Sequence, residues 1–410
     1  MFRLIAVLTL SSVTNLVQAE PLSFDAALEL AQRSAPDLTV QTASVAAAQA
    51  AVIAAGRLPD PKLAIGVDNV PASGADQWSL TRDFMTMRKI GLMQDIPNRG
   101  KRQAEVDVAT AAIAQAQAER RVRLLQIKRD TAVAWLTRFY LERRATFFDD
   151  LDRENRLFAD AVQAQLAGGR GLPADVIAPQ QEAAELADRR DELSGEIAKA
   201  NAMLRRWVGA AADESLTHDA PTFSIDGEHL RTHVHEHPEL AVFTPMMEIA
   251  QAEVHGAEAM KRPDWGVELL YGHRGAAFSD MVSLQFTLGL PVFSGTRQDP
   301  QIEAKRHAVT RLAAEREAML RDHTQELETD LAEYGALTRQ LDRMRATRVP
   351  LARQKVDYQF ASYRAGKGDL TAVLTARREL IDAQLQQLTL EAQQATTIAK
   401  LYFIYGEGAQ

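Results

Sequence analysis

Three histidines at alternate positions, His233, His235 and His237, are the side chains of this 410-residue chain that first suggest chemistry. His233 and His237 stand four apart, which on a helix places both imidazoles on one face, a spacing suited to a divalent transition metal. No cysteine is available as a further ligand, and the matching stretch earlier in the chain, Gln32 to Ala35, has no histidine. A metal role for the three histidines stays open, and no metal site is assigned. His235-Glu236-His237-Pro238 does not fit the HExxH pattern of zinc proteases. Gly168-Gly169-Arg170-Gly171 is glycine-rich but lacks the GxxxxGK[ST] spacing of a phosphate loop, so a turn ending a helix accounts for it better. Met85, Met87 and Met93 suit a packed strand better than a copper site. With no catalytic constellation, neither an enzyme nor a cofactor is expected.

Composition narrows the classes further. The complete absence of cysteine excludes disulfides, thiolate metal sites and cysteine nucleophiles. Residues 1–19 have the anatomy of a secretory signal: Arg3, a short apolar run from Leu4 to Leu10, and Val17-Gln18-Ala19 before Glu20. That run is far short of the roughly 20 residues a spanning helix needs. With no cysteine to follow the signal, no lipid anchor is expected there. The net charge of −8, which becomes −9 once the single Arg of the signal is removed, argues against a nucleic-acid partner.

The elements that would position these residues occur twice. The first copy reads PDL at 36–38, PD at 59–60, IPNRG at 96–100 and AGGRG at 167–171. The second reads PEL at 238–240, PD at 263–264, LPVFSG at 290–295 and AGKG at 365–368, with offsets of 202, 204, 194 and about 198. A near-constant offset through four kinds of break indicates duplication. Residues 22–57 and 226–261 read as helical and end at Pro59 and Pro263. Residues 101–166 and 297–364 could each run roughly 100 Å as helix, a length that suggests coiled coil. On the last helix Ile381, Leu385, Leu388, Ala392, Ala395, Ala399 and Tyr402 step by four and three, the seam of a left-handed supercoil.

Between these helices the period changes to two. Strands are expected at about 62–70, 86–96, 265–273 and 281–290, the last with Val282, Leu284, Phe286 and Leu288 alternating with Ser283, Gln285 and Thr287. The pattern fits a transmembrane β-strand, and equally a half-buried strand of a soluble sheet. In lipid, four strands cannot close a barrel, and open edges leave backbone groups unpaired at several kcal/mol each. Copies would have to share one barrel: two would give eight strands, three would give twelve, and only the larger admits water.

At this point the chain resembles the TolC-type outer-membrane efflux proteins over residues 22–405. The similarity rests on the duplicated PDL/PEL and PD marks, QDIPNRGKR at 94–102 with LPVFSGTR at 290–297, and SYRAGKGDLTAVLTARRELIDAQ at 362–384. The resemblance implies a mainly α fold with a small transmembrane β part, assembled as a homotrimer. Its 12-stranded barrel in outer-membrane lipid would continue as a periplasmic α-helical barrel. The implied layout is a signal at 1–19, a first repeat at 20–208, an equatorial linker at 209–225, a second repeat at 226–405 and a tail at 406–410, with loops 70–84 and 273–280 facing outside. The family's partners are a periplasmic adaptor (membrane fusion protein) and an inner-membrane transporter of the RND type. The unlipidated N-terminus, the short loops and IPNRGKR look most like its heavy-metal-resistance subgroup, which serves cation-exporting pumps.

The family's two helix–helix turns close the pore and dock the adaptor. Carried over, these are Gly169, Arg170, Gly171 and Asp175 in the first and Arg364, Gly366, Lys367 and Asp369 in the second. The best-known members carry DVLD in the second turn, where this chain has Ala372-Val373-Leu374-Thr375, so that carboxylate ring is not carried over. Asp175 or Asp369 could supply a replacement attractive to cations. Competing readings are a duct of the same fold for drugs or type I polypeptide secretion, and a soluble periplasmic coiled-coil scaffold or adaptor.

Overall fold

The computed structural model describes residues 21–169 and 172–406. The signal segment, Arg170, Gly171 and most of the tail lie outside the described residues. The helices are α1 (Phe24–Ser34), α2 (Pro36–Ala54), α3 (Arg99–Ala167), α4 (Ile177–Val208), α5 (Gly227–His233), α6 (Pro238–Ala241), α7 (Phe243–Ala259), α8 (Gln298–Arg343), α9 (Val349–Arg364) and α10 (Leu370–Tyr405). The strands are β1 (Lys62–Asp68), β2 (Met87–Ile96), β3 (Trp265–His273) and β4 (Met281–Leu288). The chain forms two compact units: the first takes the chain up to Ala35, Ile127–Ile225 and Asp330–Phe403, the second Pro36–Gln126, Asp226–Thr329 and the chain from Ile404.

Two stretches expected as single helices are broken, and proline explains both. The ring of a proline disfavours helical geometry in the residue before it. Ala35, ahead of Pro36, is extended (ψ 117°) and ends α1, while Pro36 opens α2. His237, ahead of Pro238, is extended (ψ 133°) in the same way, so the second copy divides into α5, a 3₁₀ turn, α6 and α7. Pro350 acts differently. It lacks an N–H and crowds the carbonyl four residues back, and the helix widens there into a π turn over Met344–Arg348.

The first unit is a layered helical core. Phe24 meets Trp135 edge-on at 5.6 Å, Trp135 stacks on Phe139 at 5.2 Å, and Phe223 and Phe403 complete the aromatic cluster. The linker after α4 is strapped to this cluster. Leu22 and Leu216 form a parallel bridge, and Trp135 Nε1 donates to the Leu22 carbonyl at 3.2 Å. Buried Arg138 donates to the carbonyls of Ala212 and Glu214. Further layers bring together Phe148, Leu151, Leu186, Leu193 and Ile381, and then Phe158, Val162, Tyr363, Leu370 and Val373. Helix α10 buries more than the expected seam. Leu390, Ile398 and Leu401 are also buried, because α10 packs against α8 and the π turn through Leu337, Leu341 and Met344 as well as against α3 and α4.

In the second unit the four strands form one antiparallel sheet in the order β1-β2-β3-β4. The register sorts most side chains by character, with Arg88, Gln94 and His273 the polar exceptions on the apolar face and Met93, Leu270 and Met281 among the apolar ones opposite. Leu63, Leu92, Leu269 and Leu284 are cross-strand partners, as are Ile65, Ile90, Tyr271 and Val282. Phe286 and Leu288 pair with Val267 and Trp265 on the same face. The opposite face carries Gly66, Gly91, Gly266 and Gly272, with Ser283, Gln285 and Thr287 and the ion pairs Lys62–Asp95 and Lys89–Asp68. The apolar face is bare: Ile65 is 76% exposed and Phe286 67%. β1 and β4 each pair on one side only.

The IPNRG break has a specific structural role. The Asn98 side chain accepts from the Lys101 N–H at 3.1 Å and donates to the Ala259 carbonyl at 3.1 Å and to Asp264, so it caps α3 and ties it to the end of α7. A Cβ on Gly100 would stand 2.9 Å from the Ala259 Cβ, so glycine permits this approach. At the matching Gly295 of the second copy a Cβ would meet open space.

Candidate functional site

The residues singled out in the helix–helix turns lie on two reversals of the first unit. In the first, α3 ends at Ala167 and Gly169 takes the left-handed conformation (φ 72°). After Leu172, Pro173–Val176 forms a 3₁₀ turn. Asp175 accepts the Leu172 N–H through Oδ2 at 2.9 Å, so its carboxylate caps that turn. Arg170 and Gly171 lie outside the described residues. In the second, Gly366 (φ 72°) closes α9. Its N–H reaches the Tyr363 carbonyl at 3.0 Å and the Lys367 N–H reaches Ser362 at 3.0 Å, the paired bonds of a Schellman turn. Asp369 is exposed and accepts from the Thr371 N–H at 3.3 Å, capping α10. Lys367 is exposed, and Arg364 leans over Phe360 at 6.0 Å.

The two turns share a core. Tyr363, Leu370 and Val373 pack on Phe158 and Val162, with Val176 of the 3₁₀ turn against them. Burial, with the Asp175 carboxylate adding to it, raises the Tyr363 phenol above its ordinary value. Val373 is fully buried, while Ala372 is half-buried and Thr375 exposed. Behind the turns a row of ion pairs joins α4 to α10: Arg377–Glu182 at 3.5 Å, Arg378–Glu185 at 2.8 Å and Arg189–Asp382 at 3.4 Å. Only the first is largely withdrawn from water, and Arg377 also sits 4.6 Å over the Phe158 ring. Sequence reading missed this row. Its signal was present as charges of both signs on α4 and α10, but their facing could not be known without the pairing of the helices.

The histidines do not share a helix face. α5 ends at His233, whose Nδ1 turns back to the His229 carbonyl region at 2.9 Å, and His235 is exposed in the 3₁₀ turn. His237 is buried and instead meets Glu239 and His323, a residue that sequence reading did not select. Burial, reinforced by His323, pushes His237 down to about 4. The approach of His323 Nε2, 3.1 Å from Oε2, holds Glu239 below the usual carboxylate range.

Residues 236–407, the second copy, match the family model described as outer membrane efflux protein. No curated protein matches the chain. Among solved structures, the chain is similar to a membrane protein of Pseudomonas aeruginosa at 15% identity, over 93% of this chain and 90% of that one (TM-score 0.80). It is similar to the outer membrane protein VceC of Vibrio cholerae at 20% identity, over 93% and 96% (TM-score 0.75). The open state of the MtrE outer membrane channel of Neisseria gonorrhoeae matches at 14% identity, over 94% and 89% (TM-score 0.73). At these identities the likeness is one of fold, and it extends through nearly the whole length of each protein.

The Arg377–Glu182 pair is testable. Arg377→Met keeps an aliphatic stem over Phe158 but leaves the Glu182 carboxylate without its partner, at a cost of about 3 kcal/mol. Thermal unfolding of the detergent-solubilised protein should fall by several degrees, and adding Glu182→Gln should recover part of the loss. Equal midpoints in the wild type and the single variant would contradict this role.

Proposed function

We propose that the chain is an outer-membrane exit duct, a passive channel that completes a tripartite efflux pump. The observation that carries this reading is the sheet, with a mainly apolar, bare face broken only by Arg88, Gln94 and His273 toward its ends, a smaller and more polar opposite face, and two edges without partners. In water such a face would be a liability, while in lipid it is the surface a barrel presents. Among the described residues no helix is long and apolar enough to cross a membrane, so the strands are the elements suited to the bilayer. The match of the second copy to outer membrane efflux proteins supports the same reading.

Three chains would close a 12-stranded barrel, wide enough for a water-filled lumen lined by the glycine, serine, glutamine and Lys–Asp face. Aromatic side chains stand near both ends of the sheet, Trp265 and Phe293 at one and Trp78 and Phe84 at the other, as interfacial girdles do. Gly169, Arg170, Gly171, Asp175, Arg364, Gly366, Lys367 and Asp369 would form the periplasmic end that gates the pore and meets the adaptor. Energy would come from an inner-membrane transporter of the RND type. Heavy-metal cations are the proposed cargo. The capping carboxylates Asp175 and Asp369, each repeated three times around a pore, would favour cations over anions.

Phe286 and Gln285 separate the faces. Phe286→Arg puts a charge into lipid at about 2–4 kcal/mol near the midplane and should abolish the outer-membrane trimer, whereas Gln285→Arg faces the lumen and should assemble. Identical behaviour of the two variants would contradict the assignment of faces. In planar bilayers the wild type should conduct, and Asp175→Asn with Asp369→Asn should lower its cation-over-anion permeability. An unchanged reversal potential would remove the carboxylates from the gate. A deletion strain hypersensitive to divalent metals alone would support the cargo, and one hypersensitive only to drugs would overturn it.

A further inference from the structure

We propose that His237, Glu239 and His323 form a resident site for one divalent transition-metal ion of the zinc class, completed by water. The three side chains each offer a ligand atom, and these atoms lie within 4.8 Å of one another. Two imidazoles and one carboxylate are a known donor set for zinc, with bonds of about 2.0–2.2 Å, so ligand atoms on one tetrahedral ion stand roughly 3.4 Å apart. Glu239 Oε2 and His323 Nε2 are at 3.1 Å already, and the His237 and His323 rings lie 3.9 Å apart between centroids. Small side-chain rotations close the set.

The burial is what makes the cluster informative. Both imidazoles are buried; His323 Nε2 meets the Glu239 carboxylate at 3.1 Å, and its Nδ1 has no hydrogen bond. Buried polar atoms without partners are uncommon, and an ion is one way to satisfy them. The surroundings have the form of a second shell. Gln126 Nε2 donates to the other Glu239 oxygen at 3.3 Å, Glu326 lies 4.0 Å from His323 Nδ1, and the Tyr405 ring stands 5.4 Å from His237. A cleft of about 310 Å³ lined by Glu239, Arg123 and Gln126 borders the cluster on its carboxylate side. One existing contact would be exchanged. His237 Nδ1 accepts the Glu239 N–H at 3.2 Å, and ligation through either ring nitrogen ends that bond.

The first copy shows what the position does without an ion. The counterparts of His237 and Glu239, 202 residues earlier, are Ala35 and Asp37. Asp37 and Arg123 form an ordinary ion pair at 2.7 Å, and a guanidinium cannot ligate a metal. In the second copy the matching carboxylate, Glu239, faces two imidazoles in place of a guanidinium, which turns an ion-pair position into a ligand set. The ion would fasten the Pro238 break to α8. It is a fixed part of the protein rather than cargo, and the proposal does not rest on the export reading.

The test is a Zn²⁺ titration of the full-length detergent-solubilised protein, without a polyhistidine tag, in competition with a chromophoric chelator. One ion per chain is expected, with affinity falling more than about 100-fold in His323→Gln and unchanged in His235→Gln, the exposed neighbour. Co²⁺ should give visible d–d bands in the wild type that vanish in His323→Gln. Circular dichroism checks that each variant folds, and Glu239→Gln serves if His323→Gln does not. Absence of a tight ion in the folded wild type, meaning an ion pair only, would overturn the proposal. So would equal affinity in the folded ligand variants.

Discussion

The constraint on which the rest depends is that a β-sheet in lipid cannot keep an open edge. Water can satisfy the unpaired N–H and C=O groups of an edge strand, but hydrocarbon cannot, and each unmet group costs several kcal/mol. Four strands in the order β1-β2-β3-β4, with one mainly apolar face, would therefore demand neighbours on both sides in a bilayer. The demand shapes everything else. On the exit-duct reading it would make assembly a condition of folding in the membrane and would set the smaller, more polar face toward the interior. Short strands joined to very long helices follow from a design in which each copy contributes a hairpin and a helical pair.

Duplication gives that design economy, and divergence between the copies gives it function. The Asn98–Asp264 contact binds the first copy's break to the second copy's, and Gly100 lets α3 close on Ala259, while Gly295 meets nothing. Asp175 caps the first turn and Asp369 the second, yet the two turns are built differently, one through a 3₁₀ segment and one through a Schellman turn. Asp37 pairs with Arg123 in one copy, while its counterpart Glu239 meets His237 and His323 in the other.

What could be read from the chain was whatever follows from short-range rules. Alternation in 281–290 fixed which side chains share a face, because the period of a strand is local. Prolines 36 and 238 could equally have been read as helix breaks, since their effect on the preceding residue is steric and immediate. What could not be read was anything set by which helix lies beside which. The seam on α10 predicted Ile381 and Ala399 but not Leu390 or Leu401, because one period cannot describe a helix packed on two sides. His237 was grouped with His233 by spacing. Its real partner, His323, is 86 residues away and was invisible until α8 was placed.

The central claim, that unpaired edges of separate copies meet, is open to a direct measurement because the chain has no cysteine of its own. Ala64→Cys in β1 would be combined in one chain with single cysteine substitutions scanned along β4, beginning at Ser283→Cys, and each protein oxidised in native outer membranes. At the correct register the account predicts covalent species that stop at three chains on denaturing gels. Absence of cross-links at every β4 position, or ladders that stop at two or run without limit, would contradict it.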